Sequence, residues 1–342
     1  MGVHNVIEPS QLNRVHMDRD SSIYEIYHNH LKHKSKHQAA ESTMIYCLTH
    51  RSMIIEDQLA SLEFLYMNDY FTELEQLLHT SHYSKEVLMM YRVLYNRKKT
   101  PLKEKDLKWL IPLKFNHPSL KCLHLFLIVY AYFDTKQYTG LDKYVDDIYS
   151  ALVQINEPLF HYYMKLRFEE LLFQHYWKTN NVLLAKKHAY RYINSGLTPR
   201  KLSRMYHNLA LCDTFQDYDS AIYNAQSALG IAVNYNLDHS RTALTNHTIP
   251  FISAIHKKTK GILTPDPIET AHLAIANHKN KKAVDILSKV HNPTPFQETY
   301  LGAATEDPLK LNKAKNRFIN DYGDLFFAQL PEHYLKELIT IV

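Results

Sequence analysis

The stretch from Pro199 to Leu229, PRKLSRMYHNLALCDTFQDYDSAIYNAQSAL, constrains the fold more than any other part of the chain. Met205, Leu209 and Cys212 are spaced three and four apart, so a helix carries them on one face. Gln216-Asp217 breaks that pattern, and small residues then recur at Ala221, Ala225 and Ala228. The reading is a helix, a tight turn and a second helix whose small side chains let the first approach closely. One such hairpin cannot bury its own apolar face, so similar neighbours must stack on it.

The rest of the chain supplies them. The turn-plus-second-helix unit recurs as NDYFTELEQLL at 68–78, KQYTGLDKYVDDI at 136–148, NNVLLAKKHAYRYI at 180–193, DYDSAIYNAQSAL at 217–229 and NKKAVDILSKV at 280–290. Tyr70 and Tyr138 are 68 residues apart, and Ala185 and Ala221 are 36 apart. The tetratricopeptide period is about 34 residues. Helices are expected at 39–49, 52–67, 70–80, 84–97, 102–110, 118–135, 138–153, 158–178 and 181–195. They continue at 200–215, 218–235, 239–257, 267–277, 280–290, 295–304, 307–320 and 331–341, with breaks at Pro, Asn, Asp and Gly. Pro250 lies inside one of these stretches and would kink it. The expected fold is all-α, a right-handed superhelical solenoid of degenerate tetratricopeptide-type hairpins over 39–342, preceded by a polar arm over 1–38.

Composition narrows the function. Glycine numbers 7 in 342 residues, and neither GxGxxG nor GxxxxGK[ST] occurs, which removes the glycine-rich phosphate loops. No glycine-flanked nucleophile appears, and Asp146-Asp147 reads as a polar helix face rather than an acid/base pair. The chain is not read as an enzyme, and no cofactor is implied. A formal charge of +5 permits nucleic-acid contact without requiring it. Cys47, Cys122 and Cys212 are far apart and set in apolar helical context, as buried free thiols in a reducing cytoplasm would be. No signal-peptide pattern opens the sequence, and the longest apolar run, 123–133, is too short to span a bilayer.

Ser21 and Ser22 are placed to cap a first helix, followed by the basic HNHLKHKSKHQ. This stretch could contact phosphate, or hold a metal through His30, His33 and His37 if the helix persists. With no Cys, Asp or Glu to complete a ligand set, a solvated helix end is preferred and no metal is expected. The 25 tyrosines, Tyr130, Tyr144 and Tyr149 among them, read as packing residues rather than a base-stacking surface.

The concave face of a helical solenoid is lined by the first helix of each pair and commonly receives a peptide or partner segment. Arg167, Gln174, Arg200, Arg204, Asn208, Asn246, Glu269 and His272 are polar residues on those helices. In the tail, Leu335, Leu338, Ile339 and Val342 recur at helical spacing. That stripe fits either a self-complementary dimer seam or ordinary capping against the preceding helix.

Four blocks carry a more specific likeness. They are YCL at 46–48 with LEF at 62–64 and NDYFTELEQLL; residues 160–195 with Arg167, Asn180 and the LLA of 183–185; TFQDYDSA at 214–221; and IETAHLAIANHKNKKAVDILSKV at 268–290 with RFINDYGDLFFAQLP at 317–331. Together, over roughly residues 40–342, the chain resembles the arbitrium receptors (AimR) of Bacillus phages, peptide-sensing regulators of the lysis–lysogeny choice. The resemblance implies a homodimer in the host bacterial cytoplasm, a short linear signalling peptide in the groove, and no enzymatic activity. It implies that Arg200 holds the peptide, that Glu269 is a groove carboxylate, and that Asp324 matches an acidic residue six before the LP of 330–331. The carboxylates would take a cationic side chain or amino terminus, and the arginine a carboxylate.

The family's groove asparagines fall here on Gln174, Lys178 and Leu211. Asn208, one turn before Leu211, is placed to replace one lost amide, and Asn246 falls near the position of a family aromatic. The family carries a helix-turn-helix before the region matching YCL, whereas about forty-five residues precede it here, without two short helices and a recognition face. Residues 1–38 are then an arm or a remnant of a DNA-binding region. Three readings result: a peptide receptor that binds DNA, a receptor-like protein that acts on a protein partner or a full-length relative, and a helical-repeat scaffold without a peptide.

Overall fold

In the computed structural model the described residues are 22–196 and 198–340, so residues 1–21 of the expected arm, Ser21 included, and Val342 lie outside them. Every regular element among them is helical. The chain divides into two compact units, residues 1–172 with 190–198, and residues 173–189 with 199–342. The first unit holds α1 (Ser22–His33), α2 (Lys36–Thr49), α3 (Ile55–Met67), α4 (Phe71–Leu78), α5 (Lys85–Lys99), α6 (Glu104–Leu110), α7 (Pro118–Asp134) and α8 (Val145–Leu152). It also takes the start of α9 (Pro158–Lys178) and the end of α10 (Val182–Ile193). The second unit holds the remainder of those two, then α11 (Pro199–Asp213), α12 (Tyr218–Asn234), α13 (Asp238–Ala243), α14 (Ile249–Ile255) and α15 (Pro267–Ala276). It closes with α16 (Asn280–Leu287), α17 (Pro295–Ala304), α18 (Pro308–Arg317) and α19 (Gln329–Thr340).

The sequence repeat has its counterpart in how the helices end. Asp69, Lys136, Asn180, Asn236, Lys257, His278 and Glu306 all have φ between 51° and 64°. Each closes its helix through the same bond from the following amide, as in Tyr70 N to Leu65 O (2.9 Å), Gln137 N to Tyr132 O (2.9 Å) and Lys279 N to Ala274 O (2.8 Å). This closure usually uses glycine. Here residues with side chains accept a left-handed strain on the order of 1 kcal/mol, so a glycine-poor chain still makes tight interhelical turns. At the opposite ends, α7, α9, α11, α15, α17 and α18 start on proline, whose missing N–H is not needed there.

The α11–α12 hairpin forms as the spacing predicts. Met205, Leu209 and Cys212 are buried against fully buried Ala221, Ala225 and Ala228, and Ser203 Oγ donates to Ala228 O at 2.9 Å. Ala185 and Ala189 on α10 and Ala283 on α16 repeat the pattern of small, buried residues. The three cysteines are buried, and burial pushes the Cys47 and Cys122 thiols up to about 12. Among the described residues no helix is long and apolar enough to cross a membrane.

Several expectations need correcting. The stretch 138–153 is not one helix: a short turn at Tyr138–Gly140 precedes α8, and there Gly140 passes so close to the Tyr132 ring that a Cβ would lie 2.4 Å from it. The stretch 239–257 divides into α13, a π turn at Leu244–Thr248, and α14. Pro250 then sits in the first turn of α14, and the wider turn absorbs its missing donor. A second π turn, Phe318–Tyr322, follows α18, and Pro331 lies in the first turn of α19 rather than at a break. Ser35 caps α2 in a capping box with Gln38, so α1 and α2 are separate and the face that would gather His30, His33 and His37 is interrupted. His37 instead lies 3.0 Å from Glu41. Tyr149 is exposed, because α8 buries Ile148, Ala151 and Leu152; Tyr130 is buried and Tyr144 half-buried.

Arg167, expected among the groove residues, is part of the first unit's core. Its Nε and Nη2 donate to Glu63 Oε1 and Oε2 at 2.8 and 3.1 Å, and its Nη1 donates to Tyr130 Oη at 3.0 Å. Tyr91 Oη donates to Glu63 Oε2 at 2.8 Å. Burial opposes the arginine's charge, but Glu63, Tyr130 and Tyr66 more than compensate, leaving its pKa well above the usual arginine value.

Candidate functional site

Gln174, Arg200, Asn208, Asn246, Glu269 and Asp324 all belong to the second unit. Gln174 is buried near the end of α9. Arg200 is half-buried in the first turn of α11, and Asn208 is half-buried two turns further along that helix. Asn246 lies in the first π turn, where its Oδ1 accepts from Thr245 Oγ1 at 3.0 Å and its carbonyl from Thr264 Oγ1 at 2.7 Å.

Asp324 follows Gly323, whose φ of 65° ends the second π turn and returns the chain toward α9. Leu325 N donates to Lys178 O at 2.9 Å, and Gln329 Nε2 to Asn180 Oδ1 at 2.9 Å. Lys178 Nζ meets Asp324 Oδ2 at 2.7 Å, while Phe327 N donates to Asp324 Oδ1 at 3.1 Å. Both charged residues are buried. Phe326 and Phe327 enter an aromatic core with Trp177 and Phe215, and Phe327 also meets Phe251, Phe296 and Phe318. The Asp324 carboxylate is thus engaged in holding the 324–330 segment to α9.

Glu269 is differently placed. Asp266 caps α15 by accepting from Glu269 N at 2.8 Å, which fixes the backbone and leaves the Glu269 side chain on the helix's first turn. Its Oε2 lies 3.5 Å from Nδ1 of His272, one turn on. His272 is fully buried, stacks on Tyr300 with ring centroids 4.0 Å apart, and places Nε2 2.6 Å from Tyr334 Oη. Burial, with Glu269 close by, pushes the Tyr300 hydroxyl well above its ordinary value. This cluster ties α15, α17 and α19 together beside Glu269.

Among the described residues, two of the six expected residues carry a buried polar atom with no hydrogen-bond partner, Gln174 Oε1 and Asn208 Nδ2, while Glu269 Oε2 has only its 3.5 Å contact to His272 Nδ1. Buried polar groups are nearly always paired. An amide acceptor and an amide donor are therefore available for an outside partner, with the Glu269 carboxylate beside His272 as a nearby charge. A peptide supplies complementary groups of both kinds along its backbone and at its amino terminus.

His207 precedes Asn208 on α11 and holds Thr248 Oγ1 at 2.6 Å from Nε2. Burial, aided by Arg204, pulls its pKa from 6.5 down to about 4. Between those values the unfolded chain binds the additional proton. Stability from this group is complete above pH 6.5 and declines as pH falls toward 4, by at most about 1.4 kcal/mol per pH unit. Urea midpoints taken between pH 7.5 and 5 should decrease. His207→Gln should flatten the decrease, and equal slopes in both proteins would refute this account.

Along the tail, Leu335 and Leu338 are half-buried and Ile339 is 75% exposed, on a helix that packs against α17 and α18. Sequence reasoning missed the Lys178–Asp324 and His272–Tyr334 contacts, which join residues 146 and 62 positions apart. Neither leaves a local pattern. The available hint was Lys178 itself, a charged residue where the resemblance led one to expect an amide.

A family model described as AimR transcriptional regulator-like matches residues 46–337. No curated protein matches the chain. A solved chain described as "Structure of phAimR-Ligand" superposes with a TM-score of 0.69 at 18% identity, covering 94% of this chain and 98% of that one. Another, "Structure of SeMet-phAimR", gives a TM-score of 0.62 at 16% identity, covering 96% and 88%. Identities this low speak for a shared all-α helical-repeat fold.

Proposed function

The chain belongs to the AimR transcriptional regulator-like family, and from that premise we propose that it is a cytoplasmic receptor for a short linear peptide that regulates a phage's lysis–lysogeny choice through transcription. The observation that carries the reading is the pair of unused amide atoms on Gln174 and Asn208, together with the Glu269 carboxylate, whose nearest polar neighbour is His272 Nδ1 at 3.5 Å. In this reading Glu269 takes a cationic group of the peptide, Arg200 a carboxylate, and the two amides the backbone between them, while Asn246 borders the same groove. Asp324 acts at one remove, by fixing the segment that closes on α9. The protein works by binding, without catalysis, and as a homodimer to which the exposed side of α19 contributes.

Calorimetry with candidate hexapeptides tests the receptor reading, and a gel shift with the neighbouring intergenic DNA tests transcriptional action. Binding of a peptide without a shift would favour a partner-directed receptor. Glu269→Ala should weaken peptide binding by about 2–5 kcal/mol, since a ligand cation would lose its counter-charge, and should leave the urea midpoint unchanged. Wild-type affinity in that variant would remove Glu269 from the site.

A further inference from the structure

A cavity of about 80 Å³ opens between α14, α15, α17 and α19, and none of the six residues discussed above lines it. Its rim includes Lys257, His278 and Glu306, the left-handed residues that close α14, α15 and α17. Three helices therefore end beside one small space. Glu306 and Glu337 add two carboxylates, of which Glu337 meets Lys257 Nζ at 2.8 Å and Glu306 accepts a long bond from Asn280 Nδ2 at 3.4 Å. His333 in the wall places Nε2 3.4 Å from Glu337 Oε1, and burial lowers its pKa against the opposing pull of Glu337. The balance is negative even after Lys257 is counted.

The remaining wall is apolar: Ala254, Ile275, Ala276, Ala303 and Leu338. Small side chains on facing helices leave the space open. Tyr334 borders it and is held in place by its 2.6 Å contact to buried His272, so one wall is preorganised. The volume accommodates several water-sized groups, enough for a charged head and part of an aliphatic stem. A negative rim over an apolar wall matches side chains that bury methylenes and keep a cationic tip in polar surroundings.

We propose that this cavity is a second ligand site, which takes a guanidinium or primary ammonium on a short aliphatic stem. Its occupant contacts Glu306 and Glu337 with its charge and Ile275 and Leu338 with its methylenes. Two sources share that chemistry: a free small cation, and an arginine or lysine side chain of a peptide. The site is independent of the groove reading, because Glu306 and Glu337 take no part in it.

The test is calorimetry on the full chain at low salt with agmatine as the free cation and acetyl-Gly-Arg-Gly-amide as the peptide source, with n-butylurea as a neutral control. Saturable one-to-one binding of agmatine, of the tripeptide or of both is expected, with none for butylurea. Glu306→Gln should weaken it at least tenfold, about 1.4 kcal/mol, with an unchanged circular dichroism spectrum. Ala303→Leu, which fills the cavity, should abolish it; should that variant fail to fold, Leu338→Ala, which shortens the apolar wall, should weaken it instead. The tighter of the two charged probes identifies the source. Absence of binding by both, or affinity unaltered in Glu306→Gln, overturns the proposal.

Discussion

Glu63→Ala is expected to destabilise the first unit by about 3–5 kcal/mol, the usual consequence of removing one partner from a buried ion pair. Glu63 is fully buried and receives both arms of the Arg167 fork together with the Tyr91 hydroxyl. Its loss leaves a guanidinium inside α3, α7 and α9 with Tyr130 as a remaining neutral partner. Water cannot reach that charge without opening the core, and arginine does not neutralise by losing a proton. The chain's two tryptophans make the effect readable, since Trp109 belongs to the first unit and Trp177 to the second. In urea unfolding of single-tryptophan variants, the Trp109 transition should move to lower denaturant in Glu63→Ala. The double variant Glu63→Leu, Arg167→Met should recover much of the loss, because two apolar residues of similar length need no partner. A Trp109 midpoint within about 1 kcal/mol of the parent in Glu63→Ala would show that the pair is hydrated and dispensable.

Arg167 illustrates what a sequence conveys and what it withholds. Its placement on a long helix follows from the apolar period of α9 and the proline at its start. Its role does not, because the partner is 104 residues away and a polar residue on a first helix reads equally as groove or core. The same holds for Asp324. Most helix positions and the small-residue faces of α10, α12 and α16 were legible because they depend on neighbours within about four positions, whereas the left-handed turn residues Lys136, Lys257, His278 and Glu306 were not, being none of the Pro, Asn, Asp and Gly expected at breaks. The two π turns were not, since they arise where Pro250 and the return of the chain at Gly323 oblige a helix to widen. The candidate site lies between these cases. Gln174, Asn208 and Glu269 emerged from resemblance and helix phase together, and the tertiary fold then left the two amides with a polar atom unused and set Glu269 against His272.

Asp324→Ala should destabilise the second unit by a comparable amount, about 3–5 kcal/mol. The carboxylate accepts from Lys178 Nζ and from Phe327 N, so alanine removes the counter-charge of a buried ammonium beside the Trp177 and Phe327 rings and frees the turn that aims Phe326 and Phe327 inward. The probe is Trp177, which packs against both phenylalanines. Lys178→Met with Asp324→Leu should restore part of the midpoint but not all, because the Phe327 amide still lacks its acceptor. Paired with Glu269→Ala, this variant separates scaffold from recognition. One should shift the Trp177 transition, and the other the affinity for peptide with the transition unmoved. If Asp324→Ala leaves the Trp177 midpoint in place while weakening a peptide, the carboxylate faces the ligand after all and Lys178 is its competitor rather than its partner.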